Sequence, residues 1–145
     1  GRHYWVSDGD LLITRSNTPD LVGHVAVASG IDAPTIYPDL IMRMRVDSNK
    51  ASTAFLYYQL RSAPLRKEIR SRARGASSTM KKIDKNGVQT LPLRIAPLAA
   101  QYKVASALDE LAVECQRLES LYTRKLAALD ELKQSLLHQA FSGQL

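Results

Sequence analysis

A regular heptad pattern in the last third of the chain constrains its fold more than any other feature. No Gly or Pro occurs between Pro97 and Gly143, and apolar residues recur there in alternating steps of three and four. The pattern predicts one helix of roughly 40 residues and close to 60 Å, from Pro97 to about Phe141, with Pro97 in the first helical position. The predicted helix interface consists of Val104, Leu108, Leu111, Cys115, Leu118, Tyr122, Leu129, Leu132 and Leu136.

The apolar stripe of this helix needs a covering partner, because a helix cannot bury a stripe against its own turns. An ordinary core helix of the same domain is one explanation, but globular helices average only about 11 or 12 residues. The length therefore favours an interhelical seam, and charges of both signs flank it as on a solvated coiled coil. Lys125 is the polar seam residue and is expected to help fix the register, whereas Cys115 is expected to be a small buried hydrophobe.

The composition is that of an ordinary globular protein rather than a disordered one. The 145 residues are 45% hydrophobic and 23% charged, which favours one domain, or one domain with an extension. The single cysteine excludes an internal disulfide framework and a cysteine-rich zinc site. No stretch reaches the ~18 to 20 consecutive apolar residues of a membrane span and no signal peptide opens the chain, so we expect a soluble, cytoplasmic protein.

The positive charge of the chain is concentrated in one segment. The net charge is +6, yet residues 61–85 alone carry nine Lys or Arg against Glu68 and Asp84, a local balance of +7. A concentrated basic patch is the electrostatic footprint expected for a polyanionic ligand such as nucleic acid. The alternative is a solvated basic face without a partner.

Short apolar runs bounded by turn residues predict strands in the first 96 residues. Gly23 is expected to mark a bulge or a close backbone approach within one of them, and Pro92 places another at a sheet edge. The expected strands are residues 10–16, 22–28, 40–46 and 91–95.

Helical spacing returns between these strands. One helix is expected after a cap at Asp47 or Ser48 and a second from Pro64, and a turn is expected where Asn86 precedes Gly87. The predicted fold class is therefore α+β. A small sheet-rich domain, residues 1–96, is followed by one long coiled-coil-type helix, residues 97–145.

No constellation of residues supports an enzyme. The histidines His3, His24 and His138 lack metal-ligand spacing, and no glycine-rich phosphate loop occurs. Asp8 and Asp10 could pair on a metal, but carboxylates beside Gly9 before a strand are more typical of a turn. We therefore expect no catalytic residue, no metal and no cofactor.

A loop of small and hydroxyl residues inside the basic segment suits phosphate groups. The backbone N–H groups and hydroxyls of residues 75–79 can approach phosphates, while neighbouring lysines neutralise their charge. Arg donors suit guanine edges, and Asn side chains suit adenine edges. The candidates for base edges are Arg15, Asn17, Arg43 and Arg45, and those for phosphates are Arg74, Gly75, Ser77, Ser78, Thr79, Lys81, Lys82 and Lys85.

A set of stretches in fixed order carries a family resemblance. They are residues 9–17 with 22–26, residues 55–66, residues 75–79, residues 91–98 with Gln101, and above all residues 129–145. Together they resemble the C-terminal half of the DNA specificity subunit of type I restriction–modification enzymes. The resemblance implies a target recognition domain over residues 1–96, shortened at its N-terminus, and a conserved spacer helix over the rest.

The same resemblance implies the partners of the chain. Such subunits are non-catalytic, bind double-stranded DNA and carry methyltransferase and restriction subunits, and two spacer helices pack antiparallel between two half-sites. Since only one domain–helix unit is present here, we expect a homodimer through the long helix, or pairing with a second specificity half. The rival hypothesis is a helix-mediated assembly or scaffold protein whose basic patch binds an acidic partner.

Overall fold

The computed structural model describes residues 4–75 and 78–143 and confirms the α+β class. The chain forms two compact units, Gly1–Ala105 and Ser106–Leu145, and the division falls inside the long helix. The functional division at residues 96 and 97 stays a prediction. Within the described residues, no helix has the length and apolar character needed to cross a membrane. The elements are β1 (Leu11–Thr14), β2 (Ser16–Asn17), β3 (Val25–Val27), β4 (Ile41–Met44), α1 (Thr53–Arg61), α2 (Ala63–Arg72), β5 (Lys81–Lys82), α3 (Lys85–Gln89) and α4 (Leu98–Phe141).

A three-stranded antiparallel sheet forms part of the first unit, with β1 between β3 and β4. Leu11 pairs with Val27 on one side and with Met44 on the other. Leu11 and Ile13 are 1% and 0% exposed, because alternate residues of a strand point to the same face and this face is covered. The three strands lie inside three of the stretches predicted from the sequence and are shorter than predicted.

Helices α1 and α2 supply much of the core. Leu60 from α1, and Leu65 with Ile69 from α2, pack with Leu11 and Val22 in one buried cluster. The four-residue spacing of Leu65 and Ile69 is what places both on the buried face of α2, as the sequence predicts.

Gly23 lets the β1–β3 connection approach α2 closely. Its φ is +71°, and a Cβ at this position would lie 2.1 Å from the Ile69 Cγ2 atom. Both the left-handed backbone and the lack of space exclude a side chain here. The predicted close backbone approach at Gly23 is confirmed.

The first turns of α4 are tied to the start of α1 by the side chain of Gln101. Gln101 is fully buried, and its Oε1 accepts a hydrogen bond from the Ser52 N–H at 2.9 Å. Its Nε2 donates to the carbonyls of Lys50 at 2.9 Å and Ala96 at 2.6 Å. Ser52 is itself the N-cap of α1, accepting from the Phe55 N–H through its side chain. One amide therefore pairs with three backbone groups, the Ser52 N–H in a buried contact and the two carbonyls in part-buried ones.

The second unit consists mainly of the remainder of α4, which is 44 residues or about 66 Å long in total. The predicted single long helix is thus present. Cys115 is exposed in the single chain and Leu108 is half-buried, so the expected burial of Cys115 depends on a partner. The other seam residues are 43% to 61% exposed, and they are Val104, Leu111, Leu118, Tyr122, Leu129, Leu132 and Leu136.

The strand predicted at residues 91–95 does not form, so this prediction is wrong. Pro92 has no N–H to donate to a neighbouring strand. The side chain of Gln59 instead bonds both backbone groups of Arg94, accepting from its N–H at 3.1 Å and donating to its carbonyl at 2.8 Å. A side chain thus takes the place of a strand partner.

The cap predicted at Asp47 or Ser48 is also wrong. Helix α1 begins at Thr53 after the N-cap Ser52, and Asp47 instead accepts the Asn49 N–H at 3.1 Å in a local turn. Asx side chains compete for nearby backbone N–H groups in turns as well as at caps, which is why the sequence alone favoured the earlier residue.

Two other local predictions differ from the structure. Asn86 and Gly87 lie within α3 rather than in a simple turn, because Asp84 accepts the Gly87 N–H at 2.6 Å and caps a helical segment. Helix α4 begins at Leu98, so Pro97 precedes the first helical residue, and its carbonyl accepts the N–H of Gln101 at 3.1 Å.

Replacing Gln101 by Leu should destabilise the protein strongly. The substitution removes three hydrogen bonds, one of them buried and two part-buried, so a total loss of about 2 to 5 kcal/mol is expected. Urea unfolding measures it. Gln116→Leu is the matched control on the exposed part of α4 and should stay within about 0.5 kcal/mol of the parent. Equal losses in both variants would contradict the role of the Gln101 amide.

Candidate nucleic-acid interface

Residues far apart in the sequence meet in a small basic ribbon. Strands β2 and β5 pair antiparallel, with Ser16 opposite Lys82 and Asn17 opposite Lys81. Lys82 also pairs with Arg74 on its other side, where each backbone N–H donates to the other's carbonyl at 2.8 and 2.7 Å. We define the basic ribbon as residues 15–17, 74–75 and 80–82.

Side-chain contacts hold the ribbon together. The Lys81 Nζ donates to the carbonyl of Gly75 at 2.8 Å, and the buried Ser16 hydroxyl donates to the Met80 sulfur at 3.2 Å. Gly75 has φ +157°, and a Cβ there would lie 2.5 Å from the Met80 carbonyl oxygen, so only glycine fits. Met80, which the sequence analysis did not select, is 46% exposed on this surface. The sequence signal that could have identified Met80 is its position directly before two lysines.

The loop that joins the two sides of the ribbon is only partly described. Ser78 and Thr79 are exposed bends beside the ribbon, as a phosphate-contacting loop requires. Ser77, another candidate, lies outside the described residues. The roles of these three side chains stay predictions.

The basic segment divides into two groups by what its cations contact. On α2, Arg66 donates to the carbonyls of Val22 at 2.9 Å and Asp20 at 2.8 Å, while Arg72 bonds Glu68 at 2.8 Å. These arginines hold the fold together. The ribbon cations do not bond α2 or the loop before it: none of the ion pairs in the described parts of the chain includes Arg15, Arg74, Lys81 or Lys82, and Lys81 donates to the Gly75 carbonyl within the ribbon itself.

The chain is similar over nearly its whole length to type I restriction enzyme specificity subunits. Over 143 residues, 98% of its length, the chain is 26% identical to the type I restriction enzyme StySPI specificity subunit of Salmonella potsdam. It is 24% identical to the EcoEI specificity subunit of Escherichia coli over 94% of its length, and 24% identical to the EcoKI specificity subunit of E. coli K12 over 97%. The resemblance to type I specificity subunits is confirmed.

The match concerns a part of such a subunit. The chain spans 31%, 22% and 30% of the lengths of the StySPI, EcoEI and EcoKI specificity subunits. No family model matches the chain. The basic ribbon and α4 both fall within the matched region, which covers nearly the whole chain.

In this specificity-subunit-like chain, the two arginines predicted on one strand face have different surroundings. The Arg43 Nη1 donates to the Asp10 carboxylate at 3.1 Å and to the Trp5 carbonyl at 2.9 Å, and only 18% of its side chain is exposed. Arg45 is exposed. Of the two, Arg45 therefore has the more available donors for a ligand, whereas the donors of Arg43 already support the sheet.

Arg45 and Lys85 border an apolar groove of about 480 Å³ in the first unit. Met42, Leu60 and Val88 contribute to its walls. The candidates Arg45 and Lys85 thus line the same groove, and the residues of the basic ribbon are not part of its lining.

Charge and burial also perturb a histidine near α2. Burial lowers the pKa of His24 from its usual value, the charge of Arg66 lowers it further, and a hydrogen bond with the Asp20 backbone opposes both effects. Burial and the neighbouring Arg70 likewise lower the pKa of Arg66, with Asp20 opposing. His24 is therefore neutral at pH 7 and adds nothing to the positive charge of the chain.

The carboxylates near the start of the chain accept hydrogen bonds both within their own turn and from distant segments. Asp10 accepts the Ser7 N–H at 2.9 Å as well as Arg43, and Asp8 accepts the Ile31 N–H at 2.9 Å. Within residues 4–75 and 78–143, no cluster of three or more His, Cys, Asp or Glu residues could hold a metal ion.

The different roles of Arg43 and Arg45 can be separated by their effects on stability. Arg43→Ala removes a part-buried hydrogen bond to a carboxylate and an exposed one to a carbonyl, and should lower the free energy of unfolding by about 1.5 to 3 kcal/mol. Arg45→Ala, two residues further along the chain and exposed, should change it by less than about 0.5 kcal/mol. Urea denaturation of both variants checks this, and equal effects would contradict the assignment.

Proposed function

We propose that this chain is a non-catalytic, sequence-specific DNA recognition module of a type I restriction–modification system. It positions methyltransferase and restriction subunits on one half of a bipartite target in the cytoplasm. The observation that carries the proposal is the basic ribbon, in which four cations from two distant segments meet and form none of the ion pairs of the described chain. The similarity to specificity subunits supports it.

The ribbon suits the DNA backbone because of its charge and its shape. Phosphate contacts supply most of the affinity of a DNA-binding protein and release counterions as they form. The Arg74 and Lys82 side chains are exposed on a backbone that is fixed by two reciprocal hydrogen bonds. Ligand binding would then order few residues, which lowers its entropic cost.

Base reading is assigned to the edge of the same ribbon. Arg15 is exposed, and the Asn17 side-chain oxygen accepts the Thr18 N–H at 2.8 Å, which fixes the orientation of the amide. A held amide or guanidinium can pair with a base edge at two points, and each such pair discriminates by about 1 to 3 kcal/mol. Arg45 is a second candidate for this role.

Helix α4 is proposed to join two recognition modules. Its seam leaves six Leu or Tyr residues of the second unit, including Leu118 and Leu129, largely exposed in the single chain. A second specificity half or a second copy of this chain would cover them. In an antiparallel pair, the length of the helix sets the distance between the two bound half-sites.

The exposed seam also supports a second candidate function, that of a scaffold protein whose basic ribbon binds an acidic protein surface. A binding screen on randomised DNA duplexes separates the two. Selection of one sequence supports the recognition module, whereas binding that is weak and indifferent to sequence favours the scaffold.

Removing ribbon cations should weaken binding to all DNA sequences alike. Arg74→Ala and Lys82→Ala should each make the slope of log K against log salt shallower by up to about 1, because each loses one phosphate contact. Lys67→Ala is the matched control, since Lys67 is exposed in the same basic segment but lies on α2 outside the ribbon. Titrations at several salt concentrations measure the slopes. Unchanged slopes for both ribbon variants would place the DNA surface elsewhere.

Substitutions of the base-reading candidates should instead alter which DNA sequence the chain prefers. Arg15→Ala or Asn17→Ala should reduce discrimination at one base pair by about 1 to 3 kcal/mol. Competition between the selected duplex and single-base variants measures this. If both variants keep the sequence preference of the parent, base reading belongs to Arg45 or to residues 75–79.

Association through α4 should depend on its seam. Leu118→Asp with Leu129→Asp should abolish dimers, because each side chain contributes about 1.5 to 3 kcal/mol when fully buried. Val113→Asp with Ala127→Asp adds the same charge to exposed positions off the seam and should leave the dimer intact. Sedimentation equilibrium at tens of micromolar compares the three proteins. A dimer that survives the seam changes would show that association runs through the first unit.

A further inference from the structure

Strand β4 is an open edge of the three-stranded sheet. It pairs with β1 on one side, and within the residues that the structure describes no strand or isolated bridge pairs with its other side. The Leu40 carbonyl accepts the Arg15 N–H at 2.7 Å, and alternate residues of an antiparallel strand bond the same neighbour. Met42 and Met44 therefore bond toward β1, which leaves the N–H and carbonyl of Arg43 directed at the open edge.

The apolar groove of about 480 Å³ lies along this edge. Its lining includes Met42, Met44 and Val46, which share one face because they alternate along β4 and the residues after it. Val88 of α3 and Leu93 also line it. Its most deeply buried members are Leu11, Leu56, Leu60 and Leu91. The groove is thus placed to receive the core-facing side chains of a further strand beside β4.

Two cations give the groove a positive rim. Arg45 and Lys85 both line the groove and are exposed, and none of the ion pairs in residues 4–75 and 78–143 includes either of them. No described Asp or Glu residue lines the groove. The methionine side chains of the lining adapt readily to the shape of an occupant. The groove therefore favours an occupant that is apolar toward the core and negatively charged at the rim.

We infer that this groove binds an extended acidic peptide of a partner protein, which adds a strand to β4. Backbone hydrogen bonds to a sheet edge supply affinity in this mode of recognition, and pockets for alternate side chains supply specificity. The peptide places apolar side chains in the groove at every second position, and the carboxylates between them stand beside Arg45 and Lys85. The inference goes beyond the proposed function, because it gives these two cations a partner other than DNA.

A DNA duplex fits the groove less well than a peptide strand does. Its phosphates could pair with Arg45 and Lys85, but it has no row of apolar side chains for a lining of Leu, Met and Val residues. Nor does it present the alternating N–H and carbonyl groups that pair with the edge of a sheet.

Binding of synthetic peptides to the full chain tests the inference. The probe is a fluorescent peptide about as long as a typical strand, Val-Glu-Val-Asp-Val-Glu-Val, and its anisotropy reports binding. A peptide of the same composition with its valines in one block is the matched control and should bind at least about tenfold more weakly, because it cannot direct its valines to one face. Equal affinity of the two peptides would overturn the inference.

Backbone methylation tests whether the peptide forms a strand. N-methyl groups on one set of alternate peptide residues should abolish binding, whereas N-methyl groups on the other set should be tolerated, since only one set directs its N–H groups at β4. In the protein, amide exchange at Arg43 should slow when the peptide binds. Tolerance of both methylated sets, or unchanged exchange at Arg43, would overturn strand pairing.

Charge reversal tests the rim. Arg45→Glu with Lys85→Glu should weaken binding of the acidic peptide by about four- to twentyfold, and a peptide with Lys in place of its acidic residues should bind this variant better than the parent. Arg74→Glu with Lys82→Glu is the matched control, because it makes the same charge change on the basic ribbon, outside the groove lining. Equal losses in the two variants would reduce the effect to net charge and overturn the contact.

Two further outcomes separate this inference from the proposed function. A DNA duplex that displaces the peptide would overturn the inference and assign Arg45 and Lys85 to the DNA surface. A chain that binds none of the peptides at millimolar concentration would also overturn it, while DNA binding through the basic ribbon would stand or fall by its own salt-dependence measurements.

Discussion

The architecture of the first unit depends on the buried amide of Gln101. Its three hydrogen bonds join the N-terminal end of α1 to the first turns of α4 through backbone groups of Ser52, Lys50 and Ala96. An amide suits this place because it both donates and accepts, whereas a carboxylate would leave two carbonyls without donors. Substitutions of Gln101 are poorly tolerated, because a group left there without a hydrogen bond lowers the free energy of unfolding. Within the first unit, the first turns of α4 are thus held to the start of α1 by hydrogen bonds as well as by chain connectivity.

The basic ribbon shows how a small domain can gather charge without a large sheet. A pair of two-residue strands and one isolated bridge bring Arg15 to Arg74 and Lys82 across almost sixty positions of sequence. The backbones of Arg74 and Lys82 bond each other, and the side chains of all three residues are exposed. The arginines of α2 carry the same charge but contact carbonyls and carboxylates of the fold. The net charge therefore identified the basic segment in the sequence, whereas the contacts in the structure show which of its cations stabilise the fold.

The apolar seam of the long helix strongly favours association with another helix, but it does little to select the orientation of that helix. Leucines favour any partner helix, so a polar residue has to select among the arrangements they allow. Lys125 is the polar seam residue proposed to have that role. A second copy of the chain and a related helix would both use this one seam, so the two would compete for it.

Local patterns in the sequence determined α4, the apolar spacing of α2, three of the strands, the glycine at position 23 and the basic segment, because each depends on neighbouring residues alone. Tertiary contacts decided the rest. The Gln59 side chain forms hydrogen bonds with both backbone groups of Arg94, where a strand was expected. Ser52 rather than Asp47 caps α1, because the Gln101 amide accepts the Ser52 N–H. Arg43 was chosen with Arg45 from alternation, yet only the fold supplies Asp10 as its partner. Periodicity identifies which residues share a face, whereas the three-dimensional structure decides which groups meet across it, since hydrogen-bond partners distant in sequence leave no local signal.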